Sequence, residues 1–264
     1  MVDFRSQSYM VGPHMILFSK SILIEKKEKI MAIRLPYKNS EHADWATYYG
    51  QIGWPVLPLH TALPDGTCSC AQKCTSIGKH PRISNGVKGA TTDLNIISSW
   101  WKRWPKANIG IAAGHHSNLL IIDIDAKSGG LQSLLALEKE HGGITTLRTS
   151  TGGGGQHLYF NYPRQTVIGN KVNFLPGIDI RSNGGYIVAP PSIHASGKGY
   201  AWRNDQMISD APAWLLSLLT SKVQTPLKAS TQKVIEGGRN EFLASLAGSL
   251  KKHGIHHESL NTEL

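Results

Sequence analysis

The stretch that most constrains the fold covers residues 119–125, LLIIDID, in which four aliphatic residues precede two aspartates. Such a run is typical of a buried strand that ends where its carboxylates begin. Because strand side chains alternate, Asp123 and Asp125 are predicted to share one face, and Ile122 and Ile124 the other. Two like charges side by side favour a bound cation, and carboxylates suit Mg²⁺ or Mn²⁺. The stretch therefore predicts a metal site, with an ordinary acidic turn as the alternative.

A second stretch, GIDIR at residues 177–181, has the same design. Asp179 and Arg181 are predicted to share one face of a strand, while the two isoleucines occupy the other. Asp179 can supply a third carboxylate to the metal cluster. The guanidinium of Arg181 is suited to phosphate oxygens, so this stretch indicates a phosphate-bearing ligand.

A glycine run, TGGGGQHLYF at residues 151–160, lies between these two stretches. Gly154 and Gly155 allow backbone amides to approach an anion closely, and His157 opens an aliphatic and aromatic strand. A flexible turn followed by a strand with a half-buried histidine is the alternative. Taken with the carboxylates, the run predicts a nucleoside triphosphate site, because two-metal phosphoryl transfer needs cations and donors for phosphate charge.

These motifs resemble a known family. IDID, TGGGGQHLYF and GIDIRSNGGYIVAPPSIH, in that order and preceded by ATTD and NIGIAAG, are similar to the prim-pol domain of the archaeo-eukaryotic primase superfamily over roughly residues 40–219. The resemblance implies that Asp123, Asp125 and Asp179 are the catalytic metal ligands and that His157 contacts nucleotide phosphate. Many relatives have Asp-x-Glu where this chain has Asp-x-Asp, which leaves the choice between Mg²⁺ and Mn²⁺ open.

The function implied by this resemblance is that of a DNA primase/polymerase. It would carry out template-directed nucleotidyl transfer by two-metal catalysis in the replication of a plasmid, phage or mobile element. Single-stranded DNA would be the template, and NTP or dNTP the substrate. An inactive replication-initiator module that binds nucleic acid is the alternative, against which the intact Asp123, Asp125, Asp179 and His157 count. A nucleotide-sugar transferase also uses Asp-x-Asp with Mn²⁺, but the basic charge favours nucleic acid.

The composition agrees with a polyanionic partner. The 264 residues carry a formal charge of +10 with a pI near 9.5, and 40% of them are hydrophobic, which is typical of a globular protein with a real core. No run approaches the roughly 20 apolar residues of a membrane span. The apolar segment at 10–24 is interrupted by polar residues and lacks a convincing cleavage site. We therefore expect a cytoplasmic enzyme.

The cysteines indicate a second metal site. Cys68, Cys70, Cys74 and His80 fall within 13 residues, and three thiolates with one imidazole satisfy the tetrahedral preference of Zn²⁺. Reduced cysteines in a polar loop are the alternative. Similar cysteine-rich insertions occur in prim-pol relatives. A structural role is expected, because four protein ligands leave no open position for water.

The predicted domain organisation has four parts. Residues 1–35 form a weakly ordered extension, 36–220 the prim-pol catalytic domain with a zinc insertion at about 66–82, 221–234 a polar linker, and 235–264 the start of a helical primase C-terminal module. That module looks incomplete, so we expect the chain to be a fragment of a longer protein that continues into a helicase domain or works with a helicase partner.

The predicted fold class is α+β, with helices on a mostly antiparallel sheet and, by resemblance, an RRM-like catalytic subdomain. Residues 108–112 are expected to pair with the acidic strand, 177–181 with 185–189, and 145–151 with 157–162. The tryptophans at 100, 101 and 104 have helical spacing, which favours the core over a base-stacking surface. The helix after the acidic pair is expected to carry Leu131, Leu134, Leu135 and Leu137 on its apolar side.

Overall fold

The computed structural model describes residues 41–220. The predicted extension 1–35, the linker 221–234 and the helical segment 235–264 lie outside the described residues, as do residues 36–40 of the predicted catalytic domain. The described helices are α1 His42–Gln51, α2 Leu94–Arg103, α3 Gly130–His141 and α4 Ala213–Thr220. No helix in this part of the chain is both long and apolar enough to cross a membrane.

The strands of the described region form two sheets. They are β1 Val56–Leu59, β2 Asn108–Ala112, β3 Leu119–Ile124, β4 Arg148–Ser150, β5 Gln156–Asn161, β6 Lys171–Leu175, β7 Ile178–Arg181, β8 Tyr186–Ala189, β9 Ala201–Trp202 and β10 Ser209–Asp210. The larger sheet has the order β6-β7-β3-β5-β4-β9, with β10 added beside β5, and the smaller has the order β1-β2-β8. Only β10 pairs in parallel among these strands. The mixed α and β composition and the mostly antiparallel pairing confirm those parts of the prediction, while the RRM-like subdomain stays a prediction.

Two of the three predicted hairpins were wrong. Strand β2 pairs with β1 and β8, not with the acidic strand β3, and β7 and β8 belong to different sheets. The chain changes sheets at Gly114, whose φ of +113° suits glycine, and its N–H group bonds the carbonyl of Leu119. Strands that follow each other in sequence often pair, but not always. Here β2 lies between β1 and β8, and β3 lies between β7 and β5. The third hairpin, β4 with β5, is confirmed.

One face of the larger sheet packs against a core that includes helices α1 and α2. Leu119, Ile121 and Tyr159 share this cluster with Trp45 and Tyr49 of α1 and with residues of β1 and β2. Helix α2 begins after Asp93, whose carboxylate caps it by accepting from Asn95 and Ile96 backbone N–H groups. Trp101 is buried, and Trp100 and Trp104 pack against the same cluster at partial exposure. The core interpretation of the tryptophans is therefore confirmed.

The leucines of α3 divide into two groups. Helix α3 contacts β3 and β7, and it buries Leu134 and Leu137. Leu131 and Leu135 are 36% and 68% exposed, so the apolar side predicted from the four leucines is buried only in part. Their spacing of four residues places these two side chains next to each other on the helix surface.

Candidate active site

Asp123 lies at the centre of a row of side chains that crosses the larger sheet. It is directly opposite His157 of β5 on one side and Asp179 of β7 on the other. Thr149 of β4 is in turn opposite His157. Directly opposed residues in antiparallel strands project from the same face with Cβ atoms roughly 4.5–5.5 Å apart. We call Asp179, Asp123, His157 and Thr149 the site row; it brings two of the three predicted carboxylates and the predicted histidine together.

Arg181 lies between the two carboxylates of the site row. Its Nη2 atom is 2.6 Å from Asp179 Oδ2 and 3.3 Å from Asp123 Oδ2. The isoleucines that alternate with these residues in β7 are buried on the other face, as predicted. One guanidinium beside two carboxylates reduces the electrostatic repulsion between them. All three side chains are 21–25% exposed, so the group is accessible to a ligand.

Asp125 is held differently from Asp123. Strand β3 ends at Ile124, and Asp125 caps the short 3₁₀ turn that follows. Its Oδ1 atom accepts from the backbone N–H of Lys127 at 2.9 Å, and its Oδ2 atom accepts from Ser128 Oγ at 3.0 Å. Asp125 thus reaches the site from a turn, whereas Asp123 and Asp179 reach it from strands.

A single cavity of about 540 Å³ joins these side chains. Its wall includes the three predicted carboxylates, His157 and Arg181. It also includes further basic or imidazole side chains, namely Lys79, His80, Lys127 and His194. Carboxylates that can hold a divalent cation therefore share one cavity with cations that can hold phosphate, which is the arrangement a nucleotide–metal complex requires.

His157 is a buried member of the site row, with 4% of its surface exposed. Its Nε2 atom is 3.5 Å from Asp123 Oδ1, and its Nδ1 atom has no hydrogen-bond partner among residues 41–220. Burial lowers the pKa of His157, the Asp123 carboxylate raises it, and the charges of Arg181 and Lys79 lower it. The lowering prevails, so the ring is neutral at pH 7 and keeps one N–H to donate.

Residues 151–155 of the glycine run, which we call the glycine corner, pack against the end of the acidic strand β3. A Cβ atom on Gly155 would collide with the carbonyl oxygen of Ile124, and Gly154 has a φ of +91°. Thr151 and Gly153 line the cavity. Close packing on β3 thus accounts for the absence of a side chain at Gly155. The predicted nucleotide contacts of Gly154 and Gly155 stay predictions.

The predicted zinc ligands come together beside this cavity. The ligand atoms of Cys68, Cys70, Cys74 and His80 all lie within 4.8 Å of one another, the only such group found in residues 41–220. Burial raises the pKa of Cys68, but N–H groups of Gly78 and Cys70 and contacts with His80 and Cys70 outweigh it and lower the pKa to about 6. A lowered thiol pKa favours the thiolate form, which is the form that binds Zn²⁺. The sulfur atoms of Cys70 and Cys74 and the imidazole of His80 are also suitable zinc ligands.

Several cavity residues were not assigned to the site from the sequence, among them Lys127 and His194. Lys127 follows the Asp-x-Asp motif directly, and that adjacency could have indicated it. His194 lies in the proline-containing segment 190–194, and its ring is near Gly152 and Gly153 of the glycine corner. Only tertiary packing brings His194 there, because that segment is far from the corner along the chain.

The fold and site define a class of protein, an α+β domain with acidic and basic side chains gathered at one cavity for a charged, metal-associated ligand. The family model described as bifunctional DNA primase/polymerase, N-terminal (Prim-Pol), matches residues 46–214. The match covers more than half of the chain, so this chain belongs to the Prim-Pol family. At the level of the family, its activity is that of a DNA primase/polymerase. No curated protein matches the chain.

Proposed function

We propose that this chain is a template-directed nucleotidyltransferase that starts and extends strands on single-stranded DNA. The observation that carries the proposal is the site row, in which Asp179, Asp123 and His157 are adjacent across three strands. Arg181 links the two carboxylates of the row, and the row opens into the cavity. The resemblance to prim-pol domains supports a role in replication of a plasmid, phage or mobile element, together with a helicase.

The reaction joins a 3′ hydroxyl to a nucleoside triphosphate. The hydroxyl oxygen bonds to the α-phosphorus, the bond to the leaving pyrophosphate breaks, and the hydroxyl proton is released. Asp123, Asp125 and Asp179 would hold Mg²⁺ or Mn²⁺, since hard carboxylate oxygens fit these ions and all three line the cavity. Such ions, when bound, supply charge stabilisation for the phosphates and lower the pKa of the attacking hydroxyl.

The side chains around the carboxylates bind and orient the nucleotide. Arg181 presents planar N–H donors that match phosphate oxygens, and its contacts to Asp123 and Asp179 fix its position. Neutral His157 donates one ring N–H from a buried position, so its geometry changes little when the ligand enters. Thr151 and Gly153 line the same cavity.

The cysteine-rich segment is assigned a structural role in this proposal. Cys68, Cys70, Cys74 and His80 would occupy all four positions of a tetrahedral Zn²⁺ and leave none for water. Zinc would therefore organise the segment rather than take part in bond making. Asp123, Asp125 and Asp179 remain the assigned centre of the chemistry.

Primer synthesis on unprimed single-stranded DNA tests the proposal. The protein is incubated with NTPs or dNTPs and Mg²⁺ or Mn²⁺, and product length is measured on a gel. We expect products with the natural chain and none with the Asp123→Ala, Asp125→Ala double variant. Full activity in that variant would refute the assignment. Comparing the four nucleotide and metal combinations also determines which sugar and which ion the site prefers.

A further inference from the structure

The cysteine-rich segment supplies part of the wall of the catalytic cavity. Ser76, Lys79 and His80 line it together with Asp123 and Asp179. These three residues come from the stretch 75–80, which begins after the ligand Cys74 and ends at the ligand His80. One bound ion would therefore hold both ends of a short loop whose middle faces the nucleotide site.

The backbone around Lys79 is anchored on both sides. The hydroxyl of Tyr186 donates to the Lys79 carbonyl at 2.9 Å, and Asn108 Nδ2 donates to the Gly78 carbonyl at 2.9 Å. Gly78 has a φ of +70°, and a Cβ atom there would lie 3.0 Å from the backbone nitrogen of Ala62. These contacts hold the backbone at Lys79 against β2 and β8 of the smaller sheet.

Lys79 has no carboxylate partner within the part of the chain that the structure describes. Arg181, by contrast, is already paired with Asp123 and Asp179. The charge of Lys79 acts on two cavity histidines. It contributes, after burial, to the lowered pKa of His194, and it is a smaller contributor for His157. An unpaired ammonium group near both rings is available to an incoming anion.

The dimensions of the cavity favour a nucleotide over a DNA strand as that anion. A volume of about 540 Å³ is within the range of roughly 300–1,000 Å³ typical of small-ligand pockets. Lys79 lines the same cavity as the carboxylates, so an anion bound to Lys79 there would lie beside the carboxylates assigned to the catalytic ions. The triphosphate is the part of a nucleotide that needs a further cation.

We propose that Lys79 binds the triphosphate of the incoming nucleotide, and that zinc on Cys68, Cys70, Cys74 and His80 sets nucleotide affinity by holding Lys79 in the cavity wall. This inference rests on the proposed function of the same site. It gives the zinc segment a direct part in substrate binding in addition to its structural role. Lys79 of the zinc segment and the ions held by the carboxylates would then bind the same triphosphate.

Nucleotide binding to the full chain tests this assignment. The dissociation constant of a non-hydrolysable NTP or dNTP analogue is measured with Mn²⁺ by calorimetry, and zinc content by mass spectrometry. Lys79→Ala should weaken binding about tenfold, the loss expected for one charge-assisted contact, with zinc content unchanged. Lys79→Arg should retain most of the affinity. Lys73→Ala is the matched control, because Lys73 is an exposed lysine of the same segment outside the cavity wall.

Zinc removal provides the second arm. Chelation should weaken nucleotide binding of the natural chain by a similar factor, reversed by adding Zn²⁺, and should have little further effect in Lys79→Ala, because both changes act through one contact. Unchanged nucleotide affinity in Lys79→Ala would overturn the inference. So would a loss confined to a single-stranded oligonucleotide, which would assign Lys79 to template binding.

The two levels of the proposal fail in different ways. If the natural chain neither binds nucleotide nor makes primers, the proposed function itself is wrong, and the assignment of Lys79 is wrong with it. If the natural chain binds nucleotide and requires Asp123 for synthesis while Lys79→Ala matches Lys73→Ala, only the inference about Lys79 fails.

Discussion

The two candidate metal sites of this chain are built in opposite ways. Asp123 and Asp179 come from neighbouring strands that are distant in sequence, so their proximity depends on the register of the larger sheet. The cysteines and His80 come from one irregular segment of 13 residues without a regular strand. The comparison teaches that strand pairing alone can position the carboxylates, whereas for the loop we predict that a bound Zn²⁺ contributes to its order.

Loss of the third carboxylate should have the largest effect. Asp179→Asn keeps the size of the side chain and removes its charge, so we expect primer synthesis to fall by about 10³-fold with little change in melting temperature. Gel-based synthesis and thermal unfolding measure the two quantities. Asp205→Asn, at an exposed position away from the cavity, is the control and should be unaffected. Substantial residual synthesis would contradict a metal role for Asp179.

Gly155→Ala should have the second-largest effect, a loss of stability where the glycine corner packs on the larger sheet. The added Cβ would collide with the Ile124 carbonyl at the end of β3, so we expect about 2–4 kcal/mol lower unfolding free energy. Urea unfolding measures this loss. Gly143→Ala is the control, because a Cβ there meets nothing within 4 Å in the described structure. Equal stability of the two variants would show that the β3 backbone shifts to accept the added Cβ atom. It would then be wrong to describe the carboxylate site as rigidly positioned by the sheet.

Removal of a zinc ligand should have a smaller effect on global stability. Cys68→Ser is expected to lose zinc and to lower the melting temperature by roughly 4–8 °C, corresponding to about 2 kcal/mol. Differential scanning calorimetry and metal analysis are the measurements. Thr75→Ser, inside the same segment but not a ligand, should retain the metal. An unchanged melting temperature after complete loss of zinc would mean that the loop is ordered by its protein contacts alone.

The pH dependence of His157 should give the smallest effect. Its folded-state pKa lies below 6.5, so between that pKa and 6.5 the unfolded chain binds more protons, and stability is lost as pH falls below 6.5. The slope from one proton is at most about 1.4 kcal/mol per pH unit. Urea unfolding from pH 7.5 to 5.0 should show a shallower slope for His157→Gln. Identical slopes would mean that burial does not suppress protonation of this ring.

Local sequence was enough to identify most parts of the site. The alternation in GIDIR predicted which side chains share a face, and β7 shows the predicted pattern with Ile178 and Ile180 buried. The alternation predicted for IDID stops at Ile124, because Asp125 lies in the turn after β3. The cysteine spacing predicted a cluster that the structure brings within 4.8 Å. Pairing was harder. Two hairpins expected from adjacency along the chain were wrong, because β2, β3, β7 and β8 each found partners elsewhere.

The sequence by itself determined the alternating faces of β7 and the grouping of Cys68, Cys70, Cys74 and His80, because each depends on contacts among residues close together in the chain. Tertiary structure alone decided that Asp179 lies beside Asp123, that His194 reaches the glycine corner, and that Lys79 shares a cavity with the carboxylates. Those juxtapositions depend on strand register and on packing between distant segments. No local propensity encodes either one, since many distant pairings satisfy the same pattern of buried and exposed side chains.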